Sequence, residues 1–421
     1  LYRCLDEAFP PSPGTRIYDI TFALNDAFDP LLWCNHQRQW PQFYWQQRSG
    51  DEELAALGAV KTFASLTQAH DFLRQQGRDD LRICGLNAFD PQQGLLLLPR
   101  LEWRRLGGSA TLRLVLSSES SLRDDARAAR EFLDSLTAKQ AQATAMPSLL
   151  SEQHFPAYPQ WRALITQATQ AIAAGEMDKV VLARATDLHF AAPLNAGSIM
   201  AASRRSNLNC FHFLMAFTPR EAFVGSTPER LWRRRGALLR TEALAGTVAS
   251  HADDRQAQRL GNWLMGDDKN QRENMLVVED ICQRLQGETR ALEVLPPQIV
   301  RLRKVQHLRR CIWAELDKPD DARCLHLLQP TAAVAGLPRQ VALDFITRNE
   351  LFTRGWYAGS AGYLSLAQSE FCVSLRSAKV ENHTLRLYAG AGIVSGSDPE
   401  QEWQEIENKA AGLRSLLLTE T

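Results

Sequence analysis

The stretch GSTPERLWRRRGALLRTEALAGT, residues 225–247, is the segment from which the rest of the chain is interpreted. The apolar residues before it predict a strand that ends at Val224. Leu238 to Leu244 predicts a second strand, which follows a turn at Gly236. An arginine-rich segment between the strands is predicted as a turn. The stretch therefore predicts neighbouring strands with charged residues at their ends.

Two glutamates, Glu229 and Glu242, lie in this stretch. Pro228 restricts the backbone directly before Glu229, so that the carboxyl is held in place. A carboxyl fixed at a strand end is suited to donating a proton. The alternative is a solvated glutamate paired with Arg230 or Arg233. This stretch alone does not decide between the two interpretations.

Composition excludes several classes of protein. The chain has 421 residues and a formal net charge of zero, from 48 basic and 48 acidic residues, which disfavours a nucleic-acid surface. It has no run of about 18 apolar residues, so no membrane span is predicted, and its start lacks a secretory signal. The eight cysteines are scattered and form no C-x-x-C pair. This pattern predicts reduced thiols and a cytoplasmic enzyme.

The chain divides into two predicted regions. Residues 1–150 form a sheet-forming half of strands and short helices, in which no acid, base or metal spacing stands out. Residues 151–421 contain every pattern with chemical content. We expect the two regions to form one intertwined domain.

Two basic residues stand in unusual places for a strand. Lys179 opens the apolar strand KVVLARA. Its side chain either reaches solvent or points inward, where desolvation lowers the pKa and makes the amine a base. Arg376 is predicted in the middle of the strand EFCVSLRSAKV, which predicts a fixed anionic partner.

Carboxylates on two predicted helices suggest a metal site. The helix over residues 267–286 carries Glu273, and the C-terminal helix carries Glu402, Glu405 and Lys409 together. Oxygen ligands from two helices, Glu273 and Glu405, would suit Mg²⁺. The alternative is that these acids are solvated.

The glycine-rich segment before the C-terminal helix imitates a dinucleotide fingerprint through Gly390, Gly392 and Gly396. The fingerprint requires a further strand and an acidic residue about 20 positions on, and the chain stops after the helix. Ser397 and Glu400 are predicted to form a capping box for this helix. The segment RLRKVQHLRRCIW, residues 301–313, is either a basic strand edge or a wall for an anionic substrate.

The order of motifs in the C-terminal 270 or so residues resembles the chorismate-utilising enzymes. This family includes anthranilate, aminodeoxychorismate, salicylate and isochorismate synthases. The motifs are KVVLARA, STPERL, TEALAGT, RENMLVVED, HLRR, QPTAAVAGLPR, WYAGSAGYL, FCVSLRSA and YAGAGIVSGSDPEQEWQEIENKA. The resemblance implies an α+β fold in which two large antiparallel sheets, flanked by helices, enclose a cleft.

The resemblance also implies roles for individual residues. Lys179 falls on the base that activates water, and Glu229 on the acid that protonates the departing C4 hydroxyl. Glu273 and Glu405 fall on Mg²⁺ ligands, with Glu402 beside them. Further positions match groups that bind the substrate: Arg376, Tyr357, Gly246, Thr247, His307, Thr331, Gly390, Gly392 and Lys409.

Within the family, the resemblance is strongest to the isochorismate-forming members of menaquinone biosynthesis. It implies an isomerase that converts chorismate to isochorismate with Mg²⁺, in residues 151–421 above all. The alternatives are salicylate synthesis, in which pyruvate is eliminated afterwards, and a catalytically silent chorismate-binding protein. The L-L-E-S motif of tryptophan-regulated relatives is absent. We expect no glutaminase subunit, and we expect the chain to be a monomer.

Overall fold

The computed structural model describes residues 1–24 and 26–418, in which ten α-helices surround twenty β-strands. The strands are β1 (Gly14–Ala23), β2 (Gln42–Gln46), β3 (Glu52–Phe63), β4 (Ile83–Asn87), β5 (Gly94–Leu106), β6 (Ser109–Ser118), β7 (Leu149–Phe155), β8 (Lys179–Phe190), β9 (Phe211–Thr218), β10 (Glu221–Thr227), β11 (Arg230–Arg235), β12 (Leu238–Ala249), β13 (Thr289–Val294), β14 (Gln298–Arg301), β15 (Val305–Leu316), β16 (Gly336–Leu337), β17 (Ser360–Leu364), β18 (Gln368–Val373), β19 (Ser377–Glu381) and β20 (Thr384–Ile393).

The helices are α1 (Pro30–His36), α2 (Leu66–Gln76), α3 (Leu122–Asp134), α4 (Tyr158–Ala173), α5 (Ala196–Ser206), α6 (Asp254–Gly266), α7 (Asp268–Leu285), α8 (Asp321–Leu328), α9 (Arg339–Asn349) and α10 (Pro399–Leu417). The predicted α+β class is confirmed. In the described ranges, no helix combines the length and the apolar character needed to cross a membrane.

Within the described residues the strands join into one antiparallel hydrogen-bonded network that divides at β5. One edge of β5 pairs with β3, and the other pairs with β4 at its start and β6 at its end. From β3 the first arm runs β3–β2–β9–β10–β19–β20–β8–β7, and from β4 the second arm runs β4–β17–β18–β11–β12–β15. These arms correspond to the two large sheets that the resemblance implied.

The two arms pack face to face because central strands are apolar on both sides. In β2, Phe43, Tyr44 and Trp45 are all buried, as expected for a strand covered on both faces. The Trp45 indole donates to the Ala361 carbonyl across the interface (3.2 Å), and its ring meets Tyr363 edge-on at 5.5 Å. Such buried aromatic pairs contribute area and a preferred geometry. They fix how the strands that carry the polar groups face each other.

The prediction that the arginine-rich segment forms a turn is wrong, because Arg230–Arg235 forms β11 between β12 and β18. Its charges do not prevent a strand because they are matched by buried carboxylates. Arg230 Nε lies 3.2 Å from Glu370, and Arg234 forms two bonds of 2.8 Å with Asp321. Charge-assisted pairs of this kind allow arginine within a sheet.

Two local predictions near the C-terminus are also wrong. Arg376 does not lie within a strand, because β18 ends at Val373 and β19 begins at Ser377, and Arg376 adopts a left-handed backbone with φ of 47°. The cap of α10 is Asp398, whose carboxylate accepts from the next helical N–H groups, rather than the predicted Ser397–Glu400 capping box. A carboxylate accepts from backbone N–H groups more strongly than a hydroxyl does.

The division of the chain near residue 150 stays a prediction. Strands from the two sides of that position pair with each other, as β2 does with β9 and β4 with β17. The shorter N-terminal part therefore contributes strands to both arms.

Candidate active site

A cavity between the two arms contains most of the predicted site residues. Its wall comprises Val181, Pro228, Glu229, Leu244, Ala245, Gly246, Thr247, Glu273, His307, Ala333, Val334, Tyr357, Leu375, Arg376, Ala389, Gly390, Gly392 and Lys409. Two other predicted residues lie behind the wall and contact residues in it. Lys179 forms an ion pair with Glu273, and Glu405 forms an ion pair with Lys409. Thr331 is not in the wall; its carbonyl accepts from the amides of Val334 and Ala335 and shapes the loop behind it.

Lys179 points inward. It is the first residue of β8, its side chain is wholly buried, and it pairs across the strand with Leu337 of β16. Its side chain has no exposed surface, and the neighbouring Glu273 side chain is 13% exposed. Its Nζ lies 3.2 Å from Glu273 Oε1 without forming a hydrogen bond. The alternative in which this lysine reaches solvent therefore does not occur.

Glu229 is a buried carboxyl in the segment between β10 and β11. Burial, and then the charge of Glu242, raise its pKa to about 8, against the opposing charges of Lys179, Arg376 and Lys409. Its amide donates to Thr227 Oγ1 and its carbonyl accepts from the Val373 amide. Glu229 is therefore protonated at neutral pH and fixed in position. Arg230, its suggested partner in the solvated alternative, pairs with Glu370 instead.

Arg376 is held by a neutral imidazole. Its Nη2 lies 2.7 Å from His307 Nε2. Burial and the charge of Arg376 lower the pKa of His307 well below its usual value, so Nε2 accepts from the guanidinium. The other ring nitrogen, Nδ1, lies 3.2 Å from the Gly246 carbonyl and 3.1 Å from Thr247 Oγ1. This arrangement assigns the Nδ1–H tautomer.

The sequence predicted a fixed anionic partner for Arg376, and the described residues do not supply one. Among residues 1–24 and 26–418, no carboxylate lies within ion-pair distance of its guanidinium. Cys210, Tyr357, Glu405 and Glu229 only raise its pKa from a distance, while burial lowers it. The positive charge remains free to bind a carboxylate from a ligand.

Three glutamates, on helices α7 and α10, are each paired with a lysine. Glu273 lies 3.2 Å from Lys179, Glu402 lies 2.9 Å from Lys269, and Glu405 lies 2.6 Å from Lys409. Burial, and then the charge of Glu405, raise the pKa of Glu402 to about 7, with Glu273 adding to the rise. The three carboxylates therefore share one electrostatic neighbourhood.

The three carboxylates suit a hard divalent cation in kind, because oxygen ligands from a few carboxylates with water and substrate are what Mg²⁺ prefers. Their positions are those of lysine-paired acids. In the part of the chain that the structure describes, no three His, Cys, Asp or Glu side chains are grouped in a metal-ligating arrangement. A cation would have to take the place of at least one lysine ammonium.

Glycines of β20 leave room for these side chains. A Cβ on Gly392 would lie 2.2 Å from Glu273 Oε1 and 3.0 Å from Lys179 Cε. A Cβ on Gly390 would lie 2.8 Å from the hydroxyl of Tyr357, whose ring stacks on Tyr388 at 5.0 Å. Both glycines thus serve close packing against the strand.

Sequence reasoning gave no role to Arg48 or Lys269. Arg48 ends the segment FYWQQR and reaches Glu242 across the fold, and Lys269 lies in the first turn of α7. A lysine near a helix N-terminus is disfavoured by the helix dipole, which was the available signal for a specific partner. No comparable signal marked Arg48, whose partner is 194 residues away.

A buried lysine, a protonated carboxyl and an arginine without a carboxylate partner among the described residues lie in or beside one cavity, an arrangement typical of an acid–base enzyme for a small anionic substrate. The chain belongs to the chorismate binding enzyme family, whose family model matches residues 86–418.

Individual relatives match over nearly the full length. The chain is 67% identical to isochorismate synthase MenF of Escherichia coli (strain K12) over 421 residues, 100% of this chain and 98% of the relative. It is 41% identical to isochorismate synthase MenF of Haemophilus influenzae over 396 residues, 94% of this chain and 90% of the relative. A solved structure of the Escherichia coli menaquinone-specific enzyme superposes with a TM-score of 0.96, covering 99% of this chain and 98% of that chain.

Proposed function

We propose that this chain is an isochorismate synthase, an isomerase that converts chorismate to isochorismate for menaquinone biosynthesis. The near-complete match to a relative of that name supports the assignment. The observation that carries it is the pairing of roles in one cavity: Glu229 is buried and protonated, and Lys179 is buried beside Glu273. A reaction that adds water at one carbon and removes hydroxide at another needs one base and one acid.

The residues divide the chemistry as follows. Lys179, as the neutral free amine, takes a proton from the water that attacks C2, and protonated Glu229 gives its proton to the hydroxyl that leaves C4. The ring double bonds shift between these carbons, so one water enters and one water leaves. Arg376, oriented by His307, binds a substrate carboxylate. It thereby holds the substrate ring in position between Lys179 and Glu229.

We also propose that Mg²⁺ is the cofactor, with Glu273, Glu402 and Glu405 as the residues that would hold it. When bound, the ion would neutralise charge on a substrate carboxylate and polarise it. The observation that supports this proposal is that acids on α7 and α10 lie close enough for their charges to act on each other. Lys269 and Lys409 then retain contact with the cluster as counter-charges.

Chorismate is the proposed substrate, and the proposed working state is a cytoplasmic monomer without a glutaminase subunit. All eight cysteines carry free thiols, which is consistent with a reducing compartment. Size-exclusion chromatography with light scattering tests the monomer, and turnover of the purified chain without ammonia tests the independence from a glutaminase.

One incubation tests the function. The purified chain is mixed with chorismate and Mg²⁺ in the absence of ammonia, and the products are separated by chromatography. The proposal expects isochorismate as the product. Salicylate together with pyruvate, or no turnover with chorismate still bound, would overturn it in favour of one of the two alternatives.

A further inference from the structure

Arg48 contacts the segment that carries the proton donor from the opposite side of the cavity wall. It follows β2, and its Nη1 donates to the carbonyl of Pro228 (2.7 Å), the residue directly before Glu229. The same guanidinium makes a two-pronged contact with Glu242 of β12, at 2.5 Å and 2.9 Å. Such fork-to-carboxylate contacts fix distance and orientation together.

Glu242 contacts the residue on the other side of Glu229. Its Oε1 accepts from the amide of Arg230 at 2.8 Å. The side chain of Glu242 is 1% exposed and that of Arg48 is 14% exposed. Pro228 and Arg230 are therefore both bonded into one buried Arg48–Glu242 pair, with Glu229 between them.

We propose that Arg48 and Glu242 are positioning residues for the proton donor: the pair holds the backbone on both sides of Glu229, through Pro228 and through Arg230. The inference rests on the proposed function for the role of Glu229 as the acid. Neither Arg48 nor Glu242 is in the wall of the cavity.

The charges around Glu229 show why such a device is needed. The titratable groups that act on it or share its cavity are Lys179 of β8, Glu242 of β12, Glu273 of α7, His307 of β15, Tyr357 before β17, Arg376 before β19, and Lys409 of α10. Three of these are cations, which favour an ionised carboxylate, and His307 is neutral. Burial and the charge of Glu242 act in the opposite direction. Glu242 itself is surrounded by Arg48, the Arg230 amide and, at 4.0 Å, Arg309, which keep it ionised.

The first test is Glu242→Gln, which keeps the shape of the side chain and removes its charge. Because Glu229 must be protonated to act, the rate falls as pH rises through its pKa. Without the charge of Glu242 that pKa is lower, so the alkaline limb of the kcat profile moves to lower pH, by about one unit. At a pH above the limb, kcat then falls about tenfold relative to the parent. KM changes by less than about twofold, since the residue does not contact substrate.

The second test separates charge from geometry. Arg48→Lys keeps a positive charge but loses the fork, so kcat falls at every pH and the limb moves little. Arg48→Met leaves a buried carboxylate unpaired and can fail to fold, so it is made together with Glu242→Gln. The alkaline limb of the kcat profile of this double variant should lie at the same pH as that of the single Glu242→Gln variant. Asp125→Asn is the matched control, because Arg100 and Asp125 form a similar two-pronged pair elsewhere (2.9 and 2.6 Å), and its limb should stay in place.

A third measurement does not depend on turnover. The infrared carbonyl band of protonated Glu229, assigned by its loss in Glu229→Gln, is followed as a function of pH. The band should disappear at lower pH in Glu242→Gln than in the parent. If the folded variant keeps the parental titration, the inference is overturned. If the band shifts as expected while the parent makes no isochorismate, the proposed function fails and the positioning by Arg48 and Glu242 stands.

Discussion

The ammonium of Lys179 lies 3.2 Å from Oε1 of Glu273 in a position with no access to solvent. One residue is the proposed base and the other a proposed metal ligand. Each satisfies the other's charge in the chain as described. The base and the proposed metal position are therefore adjacent.

This adjacency predicts that Lys179→Met lowers catalysis without weakening metal binding. Without the amine, no group takes the proton of the attacking water, and kcat should fall by about 10²–10⁴-fold. The carboxylate of Glu273 loses its counter-ion, so Mg²⁺ affinity should be equal or higher by calorimetry. Lys318→Met, at an exposed lysine, is the control and should leave both quantities unchanged. Full turnover in Lys179→Met would exclude this residue as the base.

The raised pKa of Glu229 predicts a stability cost at neutral pH. Between its unfolded value of 4.5 and its folded value of about 8, the native state binds a proton that the unfolded state releases. The contribution of Glu229 to the free energy of unfolding therefore falls as the pH rises from 4.5 to about 8. At pH 7 the cost is about 3 kcal/mol, since each pKa unit corresponds to about 1.4 kcal/mol.

Glu229→Gln should consequently lose about 10²–10⁴-fold in kcat and gain stability at pH 7 but not at pH 4.5. Urea unfolding at both pH values measures the difference. The comparison with the parent at the acidic pH is the internal control. A variant that is equally stabilised or destabilised at both pH values would contradict the assigned proton binding.

Much of the frame could be predicted from the sequence because its signals are local. The strand predicted to open at Lys179 does begin there, and the helix predicted over residues 267–286 is α7, Asp268–Leu285. Periodicity and capping act over a few residues, so they can be interpreted without knowing the fold.

The sequence predictions were wrong or incomplete where the structure depends on contacts with residues far away in the sequence. Arg230–Arg235 resembles a turn until Glu370 and Asp321 neutralise its charges. The fixed anionic partner predicted for Arg376 stays a prediction, and the contact with His307 was not predicted. Lys269 and Arg48 find their partners 133 and 194 positions away. Such pairings depend on the topology of the sheet, so the spacing of residues within one segment cannot predict them.

The contact between β20 and Glu273 predicts the effect of Gly392→Ala. A methyl group there would lie 2.2 Å from Glu273 Oε1, so the carboxylate must move away from its position beside Lys179. We expect weaker Mg²⁺ binding and a kcat lower by about tenfold or more, because small displacements of catalytic groups are costly. Gly266→Ala in α6 meets no atom within 4 Å and serves as the control. Parental metal affinity in Gly392→Ala would show that Glu273 does not need this position.

The contact between His307 and Arg376 predicts a histidine that does not titrate in the working range. Its pKa lies well below the ordinary value because burial and Arg376 both oppose a second proton. Nitrogen-15 spectra should therefore show a neutral Nδ1–H ring down to about pH 5, where surface histidines are protonated. His307→Phe keeps a ring but removes the acceptor at 2.7 Å. The guanidinium then loses its fixed direction, and KM for chorismate should rise about tenfold, with the alkaline limb from Glu229 unmoved. A histidine signal that titrates near pH 6.5, or an unchanged KM in the variant, would mean that Arg376 is oriented by another group.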